Sequence, residues 1–173
     1  MQQTPNPAGL YRPEFEKDSC GFGLIAQMDN RPSHWLVSTS INALARLTHR
    51  GAVAADGKSG DGCGLLMRKP DAFLRQAAAE AGIKLGAHYG VGMVFLNRNP
   101  ALAEAARTEL GVKLAQEGLR IAGWRVVPIN PEACGVEALK TLPHIEQVFV
   151  APPPDMLPEA LERWPVRLFR QLL

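Results

Sequence analysis

The sequence is poor in cysteine, aromatic residues and net charge, and these shortages exclude several classes of protein. Cys20, Cys63 and Cys134 are an odd number without a CxxC pair, which disfavours a disulfide framework and a zinc site and suits a reducing compartment. A formal net charge of +2 indicates neither nucleic acid nor an anionic membrane as a partner. No apolar run approaches the roughly 20 residues that span a bilayer, and residues 1–9 lack the features of a signal peptide. We therefore expect a cytoplasmic protein.

The overall composition is typical of a globular protein. Of the 173 residues, 46% are hydrophobic and 21% are charged, which suits one domain or a piece of a larger one. Apolar patterning predicts strands at residues 20–27, 63–67, 89–96, 124–129 and 145–150. Helices are predicted at residues 33–49, 70–82, 100–117, 132–140 and, in two pieces, 158–173. Taken alone, this alternation suggests a doubly wound α/β fold with a parallel sheet.

The pair Ser19-Cys20 is the main candidate for chemistry. It is flanked by small residues and precedes the apolar run 24–26. A Ser-Cys bond at the start of a strand suits an enzyme that cuts its own chain to expose an N-terminal cysteine. The alternative is a buried structural cysteine, because free cysteines are among the most buried residues.

Two other features of the sequence are weaker evidence for function. Gly57-Lys58-Ser59 is similar to the end of a phosphate-binding loop, but the required first glycine falls at Ala52, and the loop follows a helix and precedes a strand, the reverse of a P-loop. The four histidines show no metal-ligand spacing. Neither motif predicts a nucleotide or metal site.

Six segments in order closely resemble the glutamate synthase large subunits, whose N-terminal domain is a class II glutamine amidotransferase. The segments are GLYRPEFEKDSCG (9–21), HRGA (49–52), GDGCG (60–64), YGVGMVFL (89–96), GWRVVP (123–128) and IEQVFV (145–150). The resemblance covers nearly the whole chain from Gly9 onward. Its specificity comes from the ordered set rather than from any single segment.

This resemblance implies an α+β fold of the N-terminal-nucleophile hydrolase class, an αββα sandwich with largely antiparallel sheets. That expectation replaces the parallel sheet, with an α/β insertion around residues 89–150. Residues 1–19 would be a leader that is removed, and residues 20–173 the N-terminal part of the domain, incomplete at its C-terminus. We expect an exposed apolar patch where later elements of the domain are lacking.

The resemblance also implies a site. Cys20 would be the nucleophile that hydrolyses L-glutamine through a thioester and releases ammonia. The supporting residues are Gly21, Arg50 and Gly51 near the nucleophile and Asp61 and Gly62 in a turn at the edge of the pocket. One departure is Cys63, where the family usually carries alanine.

Other parts of the family's machinery have no match in this chain. These are the arginine and the acidic residue that bind glutamine, and the asparagine-glycine pair of the oxyanion hole. The FMN and iron-sulfur parts are also unmatched, so we expect no cofactor in this chain and no activity from it alone. Expected partners are the remaining domains of the large subunit and a small subunit, with NADPH, NADH or ferredoxin left open as electron donor. The alternative is a non-catalytic regulatory or interaction module that keeps the fold.

Overall fold

A computed structural model of the chain describes residues 21–47, 53–60 and 62–153. The chain divides into two compact units, residues 1–66 and 67–173. Unit 1 contains helix α1 (His34–Ala45). Unit 2 contains α2 (Asp71–Glu80), β1 (Gly90–Leu96), α3 (Pro100–Gln116), β2 (Arg120–Val126), a 3-10 turn (Pro131–Ala133), α4 (Val136–Thr141) and β3 (His144–Ala151). No helix within the described ranges is long and apolar enough to cross a membrane.

Helix α1 begins where its sequence predicts. The Ser33 side chain accepts a hydrogen bond from the Leu36 amide at 3.4 Å, so Ser33 is the N-cap. The helix ends at Ala45, before the predicted end at His49, and none of its residues is buried. The helical spacing of its apolar residues also predicts a buried stripe that includes Ile41, but Ile41 is 53% exposed. That prediction is therefore wrong for unit 1 as described.

Two predicted strands, one in unit 1 and one that ends at Met67, the first residue of unit 2, are absent from the described residues. Residues 21–27 and 62–67 have no strand structure, so the predictions at residues 20–27 and 63–67 are wrong over these ranges. An alternating apolar pattern becomes a strand only when a neighbouring chain receives its backbone hydrogen bonds. The one bridge described in unit 1 joins Val53 and Gly60.

The sheet of unit 2 has the order β1-β3-β2. Strands β1 and β2 each pair antiparallel with β3, so they run parallel to each other on either side of it. The expectation of antiparallel pairing is confirmed, and the parallel sheet suggested by alternation alone is wrong. Helices and strands alternate from Gly90 to Ala151, the region where an α/β insertion was expected.

The boundaries of the unit 2 elements are mostly close to prediction. Asn99 caps α3, accepting from the amides of Ala101 at 2.9 Å and Leu102 at 3.4 Å, with Pro100 at the first helical position. The largest error concerns β2, which occupies residues 120–126 rather than 124–129. The helix predicted at 132–140 is split into the 3-10 turn and α4.

The two faces of the sheet carry separate apolar clusters. The first cluster joins α2 to one face and contains Leu74, Ala78, Ile83, Tyr89 and Phe149. The second contains Leu114, Leu119, Val148 and Val150, with Leu110 and Trp124 packed against it. Because successive side chains of β3 point to opposite faces, Phe149 belongs to the first cluster and its neighbours Val148 and Val150 to the second.

Close packing in the first cluster explains a glycine in β2. A Cβ atom built on Gly123 would lie 2.6 Å from Cγ1 of Ile83, nearer than non-bonded carbon atoms approach. Glycine at position 123 therefore lets the segment after α2 approach the sheet. The irregular pairing between Ile121 and Gly123 is at the same place.

Candidate active site

The candidate site residues are only partly described by the structure. Cys20, Arg50, Gly51 and Asp61 lie outside the described residues. Gly21 is half-buried, whereas Gly62 is exposed. The structure thus supplies the local setting of Gly21 and Gly62, and the roles of all six residues stay predictions.

Residues 21–27, which follow Cys20, have no regular secondary structure. Phe22 is 92% exposed and Leu24 is 89% exposed. A Cβ atom built on Gly23 meets nothing within 4 Å among the described residues. Among the described residues, nothing therefore crowds the chain from Phe22 to Leu24.

A compact turn at residues 54–59 comes just before the candidate residues Asp61 and Gly62 in the sequence. The carboxylate of Asp56 accepts from the amides of Lys58 at 3.0 Å and Ser59 at 2.7 Å, and from the Ser59 hydroxyl at 2.6 Å. Ala54 donates its amide to the Ser59 carbonyl at 2.7 Å. Gly57 has a φ of +68°, which glycine adopts at little cost. The turn holds the backbone just before Asp61.

This turn also bears on the rejected phosphate-binding interpretation. Phosphate loops bind their ligand through backbone N–H groups. Here the amides of Lys58 and Ser59 point to a carboxylate of the same turn, which a phosphate would have to displace. Asp56 has the spacing of an Asx turn, a local signal that motif comparison alone did not identify.

The described residues leave room for a side chain at position 62, so they do not require glycine there. Added Cβ atoms at Gly62 and Gly64 meet nothing within 4 Å, and neither residue has a left-handed φ. The neighbouring Cys63 is an exposed free thiol. Gly62 and Cys63 are therefore exposed, while the turn at the edge of a pocket stays a prediction.

A different cluster of charged residues lies in unit 2, on the face covered by α3. Arg107 donates from Nε to Glu146 Oε2 at 2.9 Å and from Nη2 to Glu146 Oε1 at 2.6 Å. The Arg107 guanidinium also contacts Glu104 at 2.8 Å, and His144 Nε2 lies 2.8 Å from Glu146 Oε1. Together with Thr108 and Trp124, three of these residues, Glu104, Arg107 and Glu146, line an open cleft of about 450 Å³.

The charges of this cluster compensate one another. The Glu146 side chain is 5% exposed, and its hydrogen bonds with Arg107, followed by that with His144, lower the pKa of its carboxyl despite burial. The same carboxylate raises the pKa of Arg107. A carboxylate held ionised by a paired guanidinium is a poor proton donor or acceptor near neutral pH. The cluster therefore joins α3 to β3 rather than performing acid–base chemistry.

Tyr89 is a second buried polar side chain in unit 2. The residue is 2% exposed, and its ring lies beneath Lys69, whose Nζ is 3.9 Å from the ring centroid. Burial, followed by the interaction with Asp71, raises the Tyr89 pKa to about 12. The phenol is consequently neutral at physiological pH and serves packing.

Metal-ligating side chains are not clustered in the part of the chain that the structure describes. It contains no group of three or more His, Cys, Asp or Glu side chains that could hold a metal ion. His144, one of the isolated histidines of the sequence, instead contacts Glu146. Its described contact therefore belongs to the ion-pair cluster between α3 and β3.

Comparison with known proteins identifies the family. The family profile described as "Glutamine amidotransferases class-II" matches residues 20–171. The glutamate synthase [NADPH] large chain of Bacillus subtilis is 38% identical over 154 residues, covering 89% of this chain and 10% of that protein.

Two further relatives agree with this match. Ferredoxin-dependent glutamate synthase 2 of Synechocystis is 38% identical over 150 residues, covering 86% of this chain and 10% of that protein. The glutamate synthase [NADPH] large chain of Azospirillum brasilense is 41% identical over 145 residues, covering 83% of this chain and 10% of that protein. The chain thus spans about a tenth of the length of these relatives. From the profile match over residues 20–171, this chain belongs to the class II glutamine amidotransferases.

Proposed function

We propose that this chain is part of the glutamine-hydrolysing domain of a glutamate synthase large subunit and that Cys20 is its nucleophile. The observation that carries the proposal is the family match, which begins at Cys20 itself. The relatives from Bacillus subtilis, Synechocystis and Azospirillum brasilense are all named glutamate synthases and match 83–89% of this chain.

The proposed chemistry requires cleavage of the Ser19–Cys20 bond. In the uncut chain the Cys20 nitrogen is an amide and accepts no proton, whereas a free α-amino group has a pKa of about 7.7–8.0. The freed amine takes the proton of the thiol, whose ordinary pKa is about 8.5. Residues 1–19 would therefore be a leader removed by autocatalytic processing.

The processed thiolate attacks the side-chain amide carbon of L-glutamine. The carbon–nitrogen bond breaks as the amide nitrogen takes up a proton and leaves as ammonia. The remaining glutamyl thioester is hydrolysed by water, which yields glutamate and restores the thiol. The ammonia would then be used for glutamate synthesis from 2-oxoglutarate elsewhere in the enzyme.

The other candidate residues would support this reaction. Gly21 leaves space after the nucleophile, Arg50 and Gly51 hold the loop and the amine, and Asp61 and Gly62 form the edge of the pocket. Two observations support these roles: the exposed segment from Phe22 to Leu24 and the Asp56 turn that fixes the backbone before Asp61.

The proposal extends to the larger assembly. The domain would be completed as an αββα sandwich in a cytoplasmic enzyme, with FMN and an iron-sulfur cluster in other domains of the large subunit and a small subunit as a further partner. The names of the relatives include both NADPH and ferredoxin forms. Residues 1–173 alone would be inactive, because loss of a single oxyanion donor typically costs about 10²-fold in rate.

The experiment that tests the proposal determines the N-terminus of the active enzyme. The longer polypeptide containing this chain is purified, assayed for glutaminase activity, and examined by intact mass and N-terminal sequencing. We expect Cys20 as the first residue of the active form. Full activity in a polypeptide that retains residues 1–19 would contradict the mechanism.

A second arm tests the isolated chain. Residues 1–173 are assayed for glutamine hydrolysis under the same conditions, and no turnover above buffer is expected. Turnover comparable to that of the longer polypeptide would show that this chain already contains a complete site.

A further inference from the structure

Among the described residues, packing does not fix the loop that carries Gly62. Residues 62–67 are exposed and have no regular secondary structure, and Cβ atoms built on Gly62 and Gly64 meet nothing within 4 Å. An exposed chain of this kind has many conformations of similar free energy. A defined position for Gly62 at the edge of a pocket therefore needs a restraint from a neighbouring segment.

The turn at residues 54–59 supplies such a restraint directly before the loop. Asp56 accepts through Oδ1 from the amides of Lys58 at 3.0 Å and Ser59 at 2.7 Å, and through Oδ2 from the Ser59 hydroxyl at 2.6 Å. Both oxygens of one carboxylate thus hold the same turn. Because Ser59 is 7% exposed, water competes little for its bond to Asp56.

Backbone contacts extend this restraint to the ends of the two motifs. Ala54 donates its amide to the Ser59 carbonyl at 2.7 Å, and an antiparallel bridge joins Val53 to Gly60. In the sequence, Val53 directly follows the HRGA segment and Gly60 begins the GDGCG segment. The Asp56 turn therefore closes the connection between the two segments that carry most of the candidate site residues.

We propose that Asp56 is a positioning residue of the glutaminase site, whose carboxylate holds the turn that sets the GDGCG loop at the edge of the glutamine pocket. This inference rests on the proposed function. Asp56 acts through the loop and not on a reacting atom. Without its carboxylate, the loop is in its binding position in only a fraction of the molecules, and the apparent affinity for L-glutamine falls by that fraction. Turnover of the bound complex is unchanged, because glutamine is bound by the molecules whose loop is in place.

The test measures glutaminase kinetics of Asp56→Ala in the longer polypeptide that contains this chain. We expect the KM for L-glutamine to increase about tenfold, as for a loop in position in about one molecule in ten, and kcat to stay within about twofold. The N-terminus should still be Cys20, because the turn acts on the pocket edge and not on cleavage of the leader. An unchanged KM, a fall in kcat as large as the rise in KM, or loss of cleavage contradicts the inference.

The matched control is Asp29→Ala. Asp29 accepts a hydrogen bond from the Arg31 amide at 3.1 Å, so it holds a turn of unit 1 that lies outside the HRGA and GDGCG segments. Its KM should equal that of the unsubstituted enzyme. Equal increases in KM for Asp29→Ala and Asp56→Ala would mean that any weakened turn has this effect, which contradicts a specific role for Asp56.

The conservative variant is Asp56→Asn. Its carboxamide oxygen still accepts from the two amides, and its nitrogen can donate to the Ser59 hydroxyl. The KM should therefore return to within about threefold of the unsubstituted value, since most of the bonds that hold the turn are kept. A KM as high as that of Asp56→Ala would contradict positioning through these bonds.

Ser59→Ala decides the question if Asp56→Ala does not fold. It removes one of the bonds to the carboxylate, so the KM should rise by a smaller factor, about threefold, and an unchanged KM overturns the inference. Failure of the proposed function is measured separately, on the unsubstituted polypeptide. Glutamine hydrolysis that does not depend on Cys20 would overturn that function together with this inference, whereas an unchanged KM in a Cys20-dependent enzyme overturns this inference alone.

Discussion

The two units of this chain differ in what organises them. Unit 1 contains all six candidate site residues, and Ser59, at 7% exposure, is the one buried residue among its described positions. Unit 2 contains all the buried apolar side chains that the structure describes, and most of them form two clusters on opposite faces of a sheet. Unit 1 is therefore recognised by its sequence motifs, whereas unit 2 is recognised by its packed apolar core. Substitutions in the two units should accordingly change different measurements.

The largest expected effect is on activity and belongs to unit 1. Cys20→Ala in the longer polypeptide should reduce glutaminase activity by a factor on the order of 10⁴ or more, because loss of a nucleophile removes the covalent route. The unfolding transition should be unchanged. The control is Cys63→Ala, which introduces the residue that the family usually carries and should retain activity. Retained activity in Cys20→Ala would rule out the assigned role.

The largest expected effect on stability belongs to unit 2. Phe149 is fully buried at 0% exposure, and Phe→Ala changes in cores cost about 3–5 kcal/mol. Phe149→Ala should reduce the free energy of unfolding of residues 1–173 by that amount, measured by urea denaturation. Phe73 on α2, at 59% exposure, supplies the matched control. Similar losses for Phe73→Ala and Phe149→Ala would contradict the described core.

A smaller effect should come from the ion pair between α3 and β3. Glu146→Gln leaves the Arg107 guanidinium without its buried charge partner, and we expect a loss of about 2 kcal/mol. Glu104→Gln is the control, because the Glu104 side chain is 70% exposed and exposed pairs contribute little. A Glu104→Gln variant as unstable as Glu146→Gln would show that burial is not the deciding factor.

The Arg107–Glu146 pair also makes the stability of unit 2 depend on pH. Pairing with Arg107 lowers the Glu146 pKa below its ordinary value of 4.5. A carboxyl whose pKa is lower in the folded state stabilises the fold above its ordinary pKa, and this contribution is lost as the pH falls through the folded value. Urea midpoints should therefore decrease below about pH 4.5, and the decrease should be smaller in Glu146→Gln. Identical acid profiles for both chains would contradict the assignment.

The smallest expected effects compare one helix cap from each unit. Asn99→Ala removes the side-chain cap of α3 in unit 2, and Ser33→Ala removes that of α1 in unit 1. Cap losses typically cost about 1 kcal/mol. Unfolding followed by hydrogen exchange of β3 amides should respond to Asn99→Ala and not to Ser33→Ala. An equal response would mean that the stabilities of the two units are coupled.

The fold of unit 2 could largely be predicted from local pattern. The predicted strands at 89–96 and 145–150 agree with β1 and β3 within one residue, because both form ladders with neighbours in the same unit. Equally apolar patterns at 20–27 and 63–67 predicted strands that the described residues lack. Pairing partners are a tertiary property, and local alternation does not reveal them.

For the candidate site and the charged cluster, motifs were informative and contacts between distant residues were not predicted. The role of Cys20 stays a prediction from the ordered motifs, and the family match begins at that residue. The Arg107–Glu146 pair was missed because 39 residues separate its members. A signal for it existed: Glu146 occupies the face of β3 shared by Val148 and Val150, and a carboxylate on a buried face requires a partner.

The most direct test of the central claim is covalent labelling of the longer polypeptide with 6-diazo-5-oxonorleucine, a glutamine-analogue electrophile, followed by peptide mapping. The account predicts one label, on Cys20 as the first residue of the mature chain, with labelling prevented by excess glutamine. Inactivation with the label on Cys63, Cys134 or any other residue, or labelling of Cys20 that leaves activity intact, would contradict it.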